Sequence, residues 1–154
     1  ATNLSADEFA EEYLFKPLNI DNYWWGKGPN NEIQTGGGLW LTPRAMQKIG
    51  QLFLDEGAWD ERQIISKHWI EVATKKRFDL NYEHSKINGY GYQWWVPVGA
   101  HEGEFMARGV YGQYIYIDQT RNVVIMSTGA DRKFREPGVN DSNIEMFRKL
   151  VKIL

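Results

Sequence analysis

The segment from Thr35 to Ile49 constrains the fold of this chain more than any other stretch. Thr35 is followed by three consecutive glycines, and an apolar turn then leads into Thr42 and Pro43. Glycine tolerates positive φ angles and lets another backbone or a ligand approach closely. Thr42 is a good N-cap, and Pro43 suits the first helical position because no N–H is needed there. The pattern predicts a tight loop that leads into a helix, and it fits both an ordinary junction and a functional loop.

The composition is that of a globular chain of single-domain size. Apolar residues make up 42% of the 154 positions and charged residues 25%, which is typical of a chain that folds around a core. The formal charge of −2 comes without a basic stripe, which argues against nucleic acid or an anionic membrane as a partner. The absence of cysteine excludes disulfides and thiolate metal sites but leaves the compartment open between periplasm, extracellular space and cytoplasm. No long apolar run occurs, so no membrane span is expected.

Capping residues and apolar periodicity predict four helices. They are expected over residues 6–14, from Pro43 to Glu56, from Ser66 onward, and from Asn140 or Asp141 through Leu154. Ser5 and Glu8 form a capping box before the first helix. Gly57 is the C-terminal stop of the second helix. Residues 19–38, rich in Asn and Gly, are expected to form a loop.

The second half of the chain has the patterns of strands. They are expected from Tyr90 to Val96, over residues 105–117, and from Val123 to Met126. The last of these is continuously apolar, which indicates burial on both faces. We therefore predict an α+β fold with antiparallel strands flanked by helices. Residues 1–154 are expected to form a single partial domain, mainly helix and loop over 1–80, and strands plus a C-terminal helix over 88–154.

The chain carries no recognisable nucleophile motif. No serine has a lysine three residues later, the spacing that places lysine one helical turn after a catalytic serine, and no Gly-x-Ser-x-Gly elbow occurs. The histidines His68, His84 and His101 are not spaced as metal ligands, so no metal site is expected.

Seven tryptophans are present, and two pairs of them are adjacent, Trp24-Trp25 and Trp94-Trp95. Such rings can stack on a ligand or fill a core. Both interpretations stay open for each ring.

Four segments, in the same order, resemble the serine hydrolases related to β-lactamases and penicillin-binding proteins. They are EEYLFKPLNI at residues 11–20, GGGLWLTPR at 36–44, YGYQWW at 90–95 and RGVYGQYI at 108–115, with Gly50 at the family's small helix position. The chain looks closest to the esterases and amide hydrolases of this family, including those that cleave aminohexanoate oligomers.

The resemblance implies the C-terminal part of a β-lactamase/transpeptidase-like fold. In the family, a Ser-x-x-Lys helix and a Tyr-x-Asn or Tyr-x-Ser loop precede the matched region, and neither motif occurs in these residues. The nucleophile is therefore expected outside this chain, supplied by the upstream part of the same protein or by a companion chain. The chain alone is expected to be inactive.

The family's third motif, Lys/His-Thr/Ser-Gly, falls at Ala107-Arg108-Gly109, where only the glycine is kept. A side chain at Gly109 would block a substrate lying along the strand. By resemblance, the backbone N–H of Val110 is one oxyanion-hole donor, which would stabilise the charge that develops on the carbonyl oxygen. Arg108 could replace the missing cation or point away. The loss of Lys/His favours ester or amide hydrolysis over β-lactam hydrolysis.

The remaining substrate-binding candidates are glycines of the two turns and aromatic residues expected to form pocket walls. They are Gly37, Gly112, Tyr23, Trp24, Trp40, Trp94 and Tyr111. For each aromatic, packing within the domain is the competing interpretation. The resemblance implies a small ester, amide or peptide-like substrate and no metal or organic cofactor.

Two other functions stay open. One is a non-catalytic module that binds carbohydrate or peptide through its aromatic clusters, and the other is an interaction domain that completes its fold with another subunit. A hydrolase portion should leave a sheet face or edge that needs a partner, whereas an independent module should bury the strand from Val123 to Met126 by itself.

Overall fold

The computed structural model describes residues 2–80 and 87–154. The helices within these residues are α1 (Ala6–Ala10, continued by a π-helical turn over Glu11–Phe15), α2 (Pro43–Leu54), α3 (Lys67–Thr74) and α4 (Val139–Ile153). The strands are β1 (Tyr23–Trp25), β2 (Leu39–Leu41), β3 (Ala58–Trp59), β4 (Arg62–Gln63), β5 (Phe78–Asp79), β6 (Ile87–Tyr90), β7 (Trp95–Pro97), β8 (Glu104–Arg108), β9 (Tyr114–Asp118) and β10 (Val123–Ser127). The predicted α+β class is confirmed.

One antiparallel sheet organises the described residues. Its strand order is β10-β9-β8-β7-β6-β5, and β1–β2 and β3–β4 form separate hairpins. In the centre, β8 pairs with β9 over five residues without a break. Side chains alternate between the two faces of such a sheet, so β8 and β9 each contribute to two cores.

The two faces of the sheet pack against different helices. On one face, Phe105 and Ile117 lie in a buried cluster with Phe53 of α2 and Ile70 of α3. On the other face, Tyr114 and Tyr116 lie in a second cluster that includes Phe147 of α4. A third cluster joins the π-helical turn and residues 18–20 to α2 and to the β1–β2 hairpin.

α2 packs closely on the sheet because Gly50 lies at the contact. A Cβ atom at Gly50 would lie 2.6 Å from Cγ1 of Val124 and 2.8 Å from Cγ2 of Ile115. Both distances are shorter than any normal carbon contact, so only glycine allows this approach.

The capping signals are confirmed. The Ser5 and Glu8 capping box is present, and the Thr42 side chain accepts from the Ala45 N–H. Ser66 caps α3 in the same manner. Gly57 ends α2 with a φ of +87° and donates its N–H to the Leu52 carbonyl. Caps depend on local geometry, and a sequence therefore indicates them well.

The prediction of one strand from Tyr90 to Val96 is wrong. The chain turns between β6 and β7, where the Gly91 N–H donates to the Trp94 carbonyl at 2.8 Å. Gln93 has a φ of +65° in this turn. A Cβ at Gly91 would collide with the Ala73 carbonyl. The Tyr92 N–H donates to the same carbonyl at 2.8 Å, so α3 holds the turn in place.

Three other boundaries also differ from the expectation. The expected loop 19–38 contains β1 and leads to β2, and the expected strand 105–117 is two strands joined by a turn. α4 begins after Gly138 rather than at Asn140 or Asp141. β10 forms, but its residues are half-buried because it lies at the edge of the sheet. No helix in residues 2–80 and 87–154 is long and apolar enough to cross a bilayer.

Candidate functional site

The turn between β8 and β9 carries the predicted oxyanion donor. After Gly109, residues Val110–Gly112 form a single 3₁₀ turn that leads to Gln113 and β9. The first N–H groups of such a turn have no partner inside it. Val110 is 50% exposed and Tyr111 48% exposed, so the turn lies at the surface.

Gly109 closes this turn. It has extended backbone angles, and its N–H donates to the Gln113 carbonyl at 2.8 Å. A Cβ at Gly109 would lie 3.1 Å from the Cβ of Gln113. Close packing against Gln113 is therefore a second explanation for glycine at position 109, beside the expected room for a substrate.

The loop between β10 and α4 contacts the turn through two hydrogen bonds and one ring contact. The side-chain amide of Gln113 donates to the Gly129 carbonyl at 2.5 Å, and the backbone N–H of Asp131 donates to the Tyr111 carbonyl at 3.1 Å. The Tyr111 ring packs on Phe134 with centroids 5.1 Å apart. These contacts maintain Tyr111 at a φ of +59°, a left-handed conformation that is costly for a residue with a side chain. Nothing in the sequence pointed to Gln113 or to this loop.

Arg108 does not lie in the turn. It is the last residue of β8 and is half-buried, and its guanidinium lies 5.7 Å from the centroid of the Trp95 ring on the neighbouring strand. At this distance the cation is attracted by the face of the ring. The side chain is thus occupied within the sheet, which favours the alternative that it points away from a substrate.

The β1–β2 hairpin presents two exposed indoles. Trp24 and Trp40 are directly opposite each other across the hairpin, with centroids 6.2 Å apart and an edge-to-face angle of 71°. They are 60% and 69% exposed. Gly37 lies in the exposed turn before β2, where a Cβ would meet nothing within 4 Å. A close approach therefore does not explain this glycine.

Two predicted pocket walls belong to the core instead. Trp94 is 7% exposed and packs on Phe53 and Phe105 at centroid distances of 4.3 and 5.1 Å. Tyr23 is half-buried, with its ring 4.4 Å from Phe15 and its hydroxyl 3.3 Å from a Glu11 carboxylate oxygen. We correct the expectation for Trp94 because a ring enclosed in the core presents no face to a ligand.

The candidate residues therefore form two groups. Val110, Tyr111 and Gly112 share the β8–β9 turn with Gly109, and Trp24, Trp40 and Gly37 share the β1–β2 hairpin. In the part of the chain that the structure describes, no hydrogen bond or ring contact joins the two groups.

A buried ionic network lies at the opposite ends of β8 and β9. The carboxylates of Glu104 and Asp118 are almost fully buried, and His101 contacts both, with Nδ1 3.1 Å from Glu104 and Nε2 2.9 Å from Asp118. Arg121 donates to Asp118 at 2.9 Å. Burial alone would raise the pKa of Asp118, but the hydrogen bonds from His101 and Arg121 outweigh this effect and lower the pKa.

The same network reaches α4. Arg148 donates to both Glu104 carboxylate oxygens, at 2.7 and 3.1 Å, and Tyr116 donates to Glu104 at 2.8 Å. Burial and the Glu104 carboxylate raise the pKa of Tyr116. The sequence did not single out this network, although a glutamate next to the apolar residues of β8 was a signal for it. No group of acidic or histidine side chains suited to a metal is found among residues 2–80 and 87–154, and His84 lies outside them.

Two solved structures superpose on this chain. A solved structure from Bacillus anthracis, described as a candidate 6-aminohexanoate-dimer hydrolase, superposes with a TM-score of 0.77 at 24% identity and covers 97% of this chain and 39% of that one. A candidate β-lactamase from Bacteroides dorei superposes with a TM-score of 0.57 at 16% identity and covers 88% and 49%. The fold is β-lactamase-like.

A curated sequence agrees with the β-lactamase-like fold. The 6-aminohexanoate-dimer hydrolase of Paenarthrobacter ureafaciens is 26% identical in an alignment of 136 positions that covers 81% of this chain and 33% of the relative. No family profile matches the chain. The resemblance stated from the sequence motifs is confirmed. The chain spans about a third of the length of this curated relative, which agrees with the expectation of a portion.

Proposed function

We propose that this chain supplies the substrate-binding side of a β-lactamase-like serine hydrolase that cleaves an ester or an amide through an acyl-enzyme. The observation that carries the proposal is the β8–β9 turn, where a glycine ends the strand and the N–H of Val110 begins a surface turn. A backbone N–H fixed in this way can stabilise a developing oxyanion without reorganisation. The relatives, whose names describe hydrolases of 6-aminohexanoate dimers, support the hydrolytic class.

In this proposal the reaction uses groups from two segments. A serine of an upstream Ser-x-x-Lys motif attacks the substrate carbonyl, and upstream Lys and Tyr residues transfer the protons. The Val110 N–H is one oxyanion donor, and the N–H of the serine is the other. β8 pairs with both β7 and β9, so the acyl part of the substrate lies beside Gly109, at the end of the strand, and not along a free strand edge. The substrate is a small ester, amide or peptide-like molecule.

Hydrolysis of p-nitrophenyl esters tests the proposal. We expect no turnover by the chain alone, because it has no nucleophile motif, and turnover when the upstream region is joined to it. Substituting the serine of the upstream Ser-x-x-Lys motif by alanine should abolish that turnover. Full activity of the chain alone would contradict the proposal.

A second candidate function is supported by the exposed indoles. Trp24 and Trp40, 60% and 69% exposed on one hairpin, suit a module that binds carbohydrate or peptide by stacking. Titration of the longer polypeptide with oligosaccharides, followed by tryptophan fluorescence, separates the two functions. Tight sugar binding without any ester hydrolysis would favour the module.

A further inference from the structure

His101 joins the connection between β7 and β8 to the two buried carboxylates of the ionic network. Its Nδ1 lies 3.1 Å from an oxygen of Glu104, and its Nε2 lies 2.9 Å from an oxygen of Asp118. Both carboxylates are almost completely buried, whereas 36% of the His101 side chain is exposed. The imidazole can therefore exchange protons with solvent, while the two groups that it contacts belong to the interior of the sheet.

Nε2 of His101 has a second neighbour, and the two neighbours require different protonation states. Nη1 of Arg121 lies 3.0 Å from this nitrogen and 2.9 Å from the other oxygen of Asp118. A guanidinium only donates hydrogen bonds, and an ionised carboxylate only accepts them. Nε2 must carry a proton to bond to Asp118 and must lack one to bond to Arg121. Only one of these two hydrogen bonds therefore exists at a time.

The other ring nitrogen keeps its proton in both states. Nδ1 lies against Glu104, which accepts from Arg148 with both carboxylate oxygens. A carboxylate in this role offers a lone pair to the ring, so Nδ1 donates to it. Uptake of a proton by the neutral ring thus takes place at Nε2.

The other charges around the ring do not contact Nε2. Among the described residues they are Glu104 of β8, Tyr116 of β9, Arg148 of α4, Glu102 of the same connection and, across the cavity that His101 lines, Glu56, Lys67, Glu71, Lys75 and Lys76. The three lysines form ion pairs with Glu56, Glu71 and Asp79. Asp118 and Arg121 therefore decide which state of Nε2 is favoured.

We propose that His101 is a pH-sensitive switch between two hydrogen-bond patterns that hold the β7–β8 connection. At acidic pH the imidazolium donates to Glu104 and Asp118, and Arg121, now beside a second cation, loses its bond to the ring. At alkaline pH the neutral ring donates to Glu104 and accepts from Arg121. The one proton that separates the patterns comes from solvent, and the inference does not depend on the proposed hydrolysis.

The two patterns differ in what they hold in place. At acidic pH the ring is bonded to two buried carboxylates, so the β7–β8 connection is fixed to β8 and β9 and Arg121 is freer. At alkaline pH one of the two partners is Arg121, whose side chain is 48% exposed. The connection is then held less firmly, because an exposed side chain has more conformational freedom than a buried one.

Nuclear magnetic resonance of histidines labelled with nitrogen-15, in this chain joined to its upstream region, tests the inference. Signals of His101 are identified by their loss in His101→Gln. Histidine ordinarily changes charge between about pH 5 and 8, so the titration covers this range. We expect Nδ1 of His101 to stay protonated throughout and Nε2 to gain its proton toward acidic pH. His68, exposed on α3, is the internal control and should show both tautomers when neutral.

Two substitutions should move the His101 titration in opposite directions. Arg121→Met removes a cation and the donor that the neutral ring uses, so proton uptake should move by about one pH unit to higher pH. Asp118→Asn removes the anionic acceptor of the imidazolium, so it should move by about one pH unit to lower pH. Arg44→Met, at an exposed position at the start of α2, is the matched control and should move it by less than about 0.2 pH unit.

Three results would overturn the inference. The first is a neutral His101 that carries its proton on Nε2, and the second is a ring whose charge does not change over the titrated range. The third is an Arg121→Met titration that stays in place or moves to lower pH. The tautomer is measured in the native protein and Arg121 is half-exposed, so the test stands even if Asp118→Asn does not fold.

Discussion

At the scale of single residues, Gly50 is the clearest case of a side chain that the fold cannot accept. In an exposed helix, Gly→Ala is stabilising by about 1 kcal/mol because alanine has the higher helix propensity. Here the added methyl would meet Val124 and Ile115 at 2.6 and 2.8 Å, and overpacking costs about 1–3 kcal/mol. The contacts at position 50 therefore decide whether Gly→Ala stabilises or destabilises the protein.

We predict that Gly50→Ala lowers the free energy of unfolding by about 1–2 kcal/mol, since the clash exceeds the gain in propensity. Urea unfolding measures this value. Gly36→Ala is the matched control, because a Cβ there meets nothing within 4 Å, and should change stability by less than about 0.5 kcal/mol. Recovery of stability in Gly50→Ala with Val124→Ala would identify the contact. A stabilising Gly50→Ala would show that α2 is not held so close to the sheet.

Asp118 gives a residue-scale prediction for acid stability. Its pKa is lowered in the folded state, so its carboxylate stabilises the fold at every pH above the unfolded pKa of about 3.9. That contribution is lost as the pH falls through the lower folded pKa. We expect Asp118→Asn to unfold about 1–3 kcal/mol more easily at pH 7, because His101 and Arg121 lose their anionic partner.

Measuring urea unfolding between pH 7 and pH 3 checks this prediction. Below about pH 4 the difference between the protein and Asp118→Asn should shrink, since the native carboxylate then takes up a proton. The exposed Asp60→Asn serves as control and should leave the curve unchanged. A constant difference over the whole pH range would contradict the assigned role of Asp118.

At the scale of elements, the β8–β9 turn depends on contacts from outside its own strands. The Gln113 amide and the Asp131 N–H fix the turn to the loop before α4. The cost of a left-handed Tyr111 is met by these contacts. In the proposed hydrolase, the Val110 N–H must be held within a fraction of an ångström as an oxyanion donor, so loss of these contacts should impair the reaction more than substrate binding.

We predict that Gln113→Ala lowers kcat for p-nitrophenyl esters at least about tenfold in the longer polypeptide, with a smaller change in KM. Gln47→Ala, an exposed glutamine on α2, is the matched control and should leave both constants unchanged. A rise in KM with an unchanged kcat would mean that Gln113 contributes to substrate binding and does not position the turn.

At the scale of the whole molecule, one buried ionic network connects the sheet to α4. Glu104 is 3% exposed and accepts from Arg148 on α4 and from Tyr116 on β9. Removing one partner of a buried ionic network leaves the carboxylate less well compensated, which is costlier than replacing the whole network. The position of α4 on the sheet therefore depends on Arg148 as well as on the apolar cluster.

We expect Arg148→Met to lower the free energy of unfolding by about 1–3 kcal/mol, since Glu104 then keeps His101 and Tyr116 as partners but loses the guanidinium. Lys149→Met, at an exposed neighbouring position, should change it by less than about 0.5 kcal/mol. Adding Glu104→Gln to Arg148→Met should recover part of the loss, as a double-mutant cycle would show. Equal effects of the substitutions at 148 and 149 would show that the network does not hold α4 on the sheet.

The sequence by itself determined what depends on neighbours along the chain. The caps at Ser5, Thr42 and Ser66, the stop at Gly57 and the presence of β10 were readable because a few adjacent residues settle them. The order of four motifs was also enough to indicate the β-lactamase-like fold.

Only the tertiary structure decided which residues lie inside and which lie at an edge. Trp94 and Trp24 belong to similar dipeptides, yet Trp94 packs on Phe53 while Trp24 stays exposed. The strand at Val123–Ser127 looked interior from its apolar composition, but its place in the sheet order makes it an edge. Burial depends on elements far apart in the sequence, and local pattern contains no information about which of them come together.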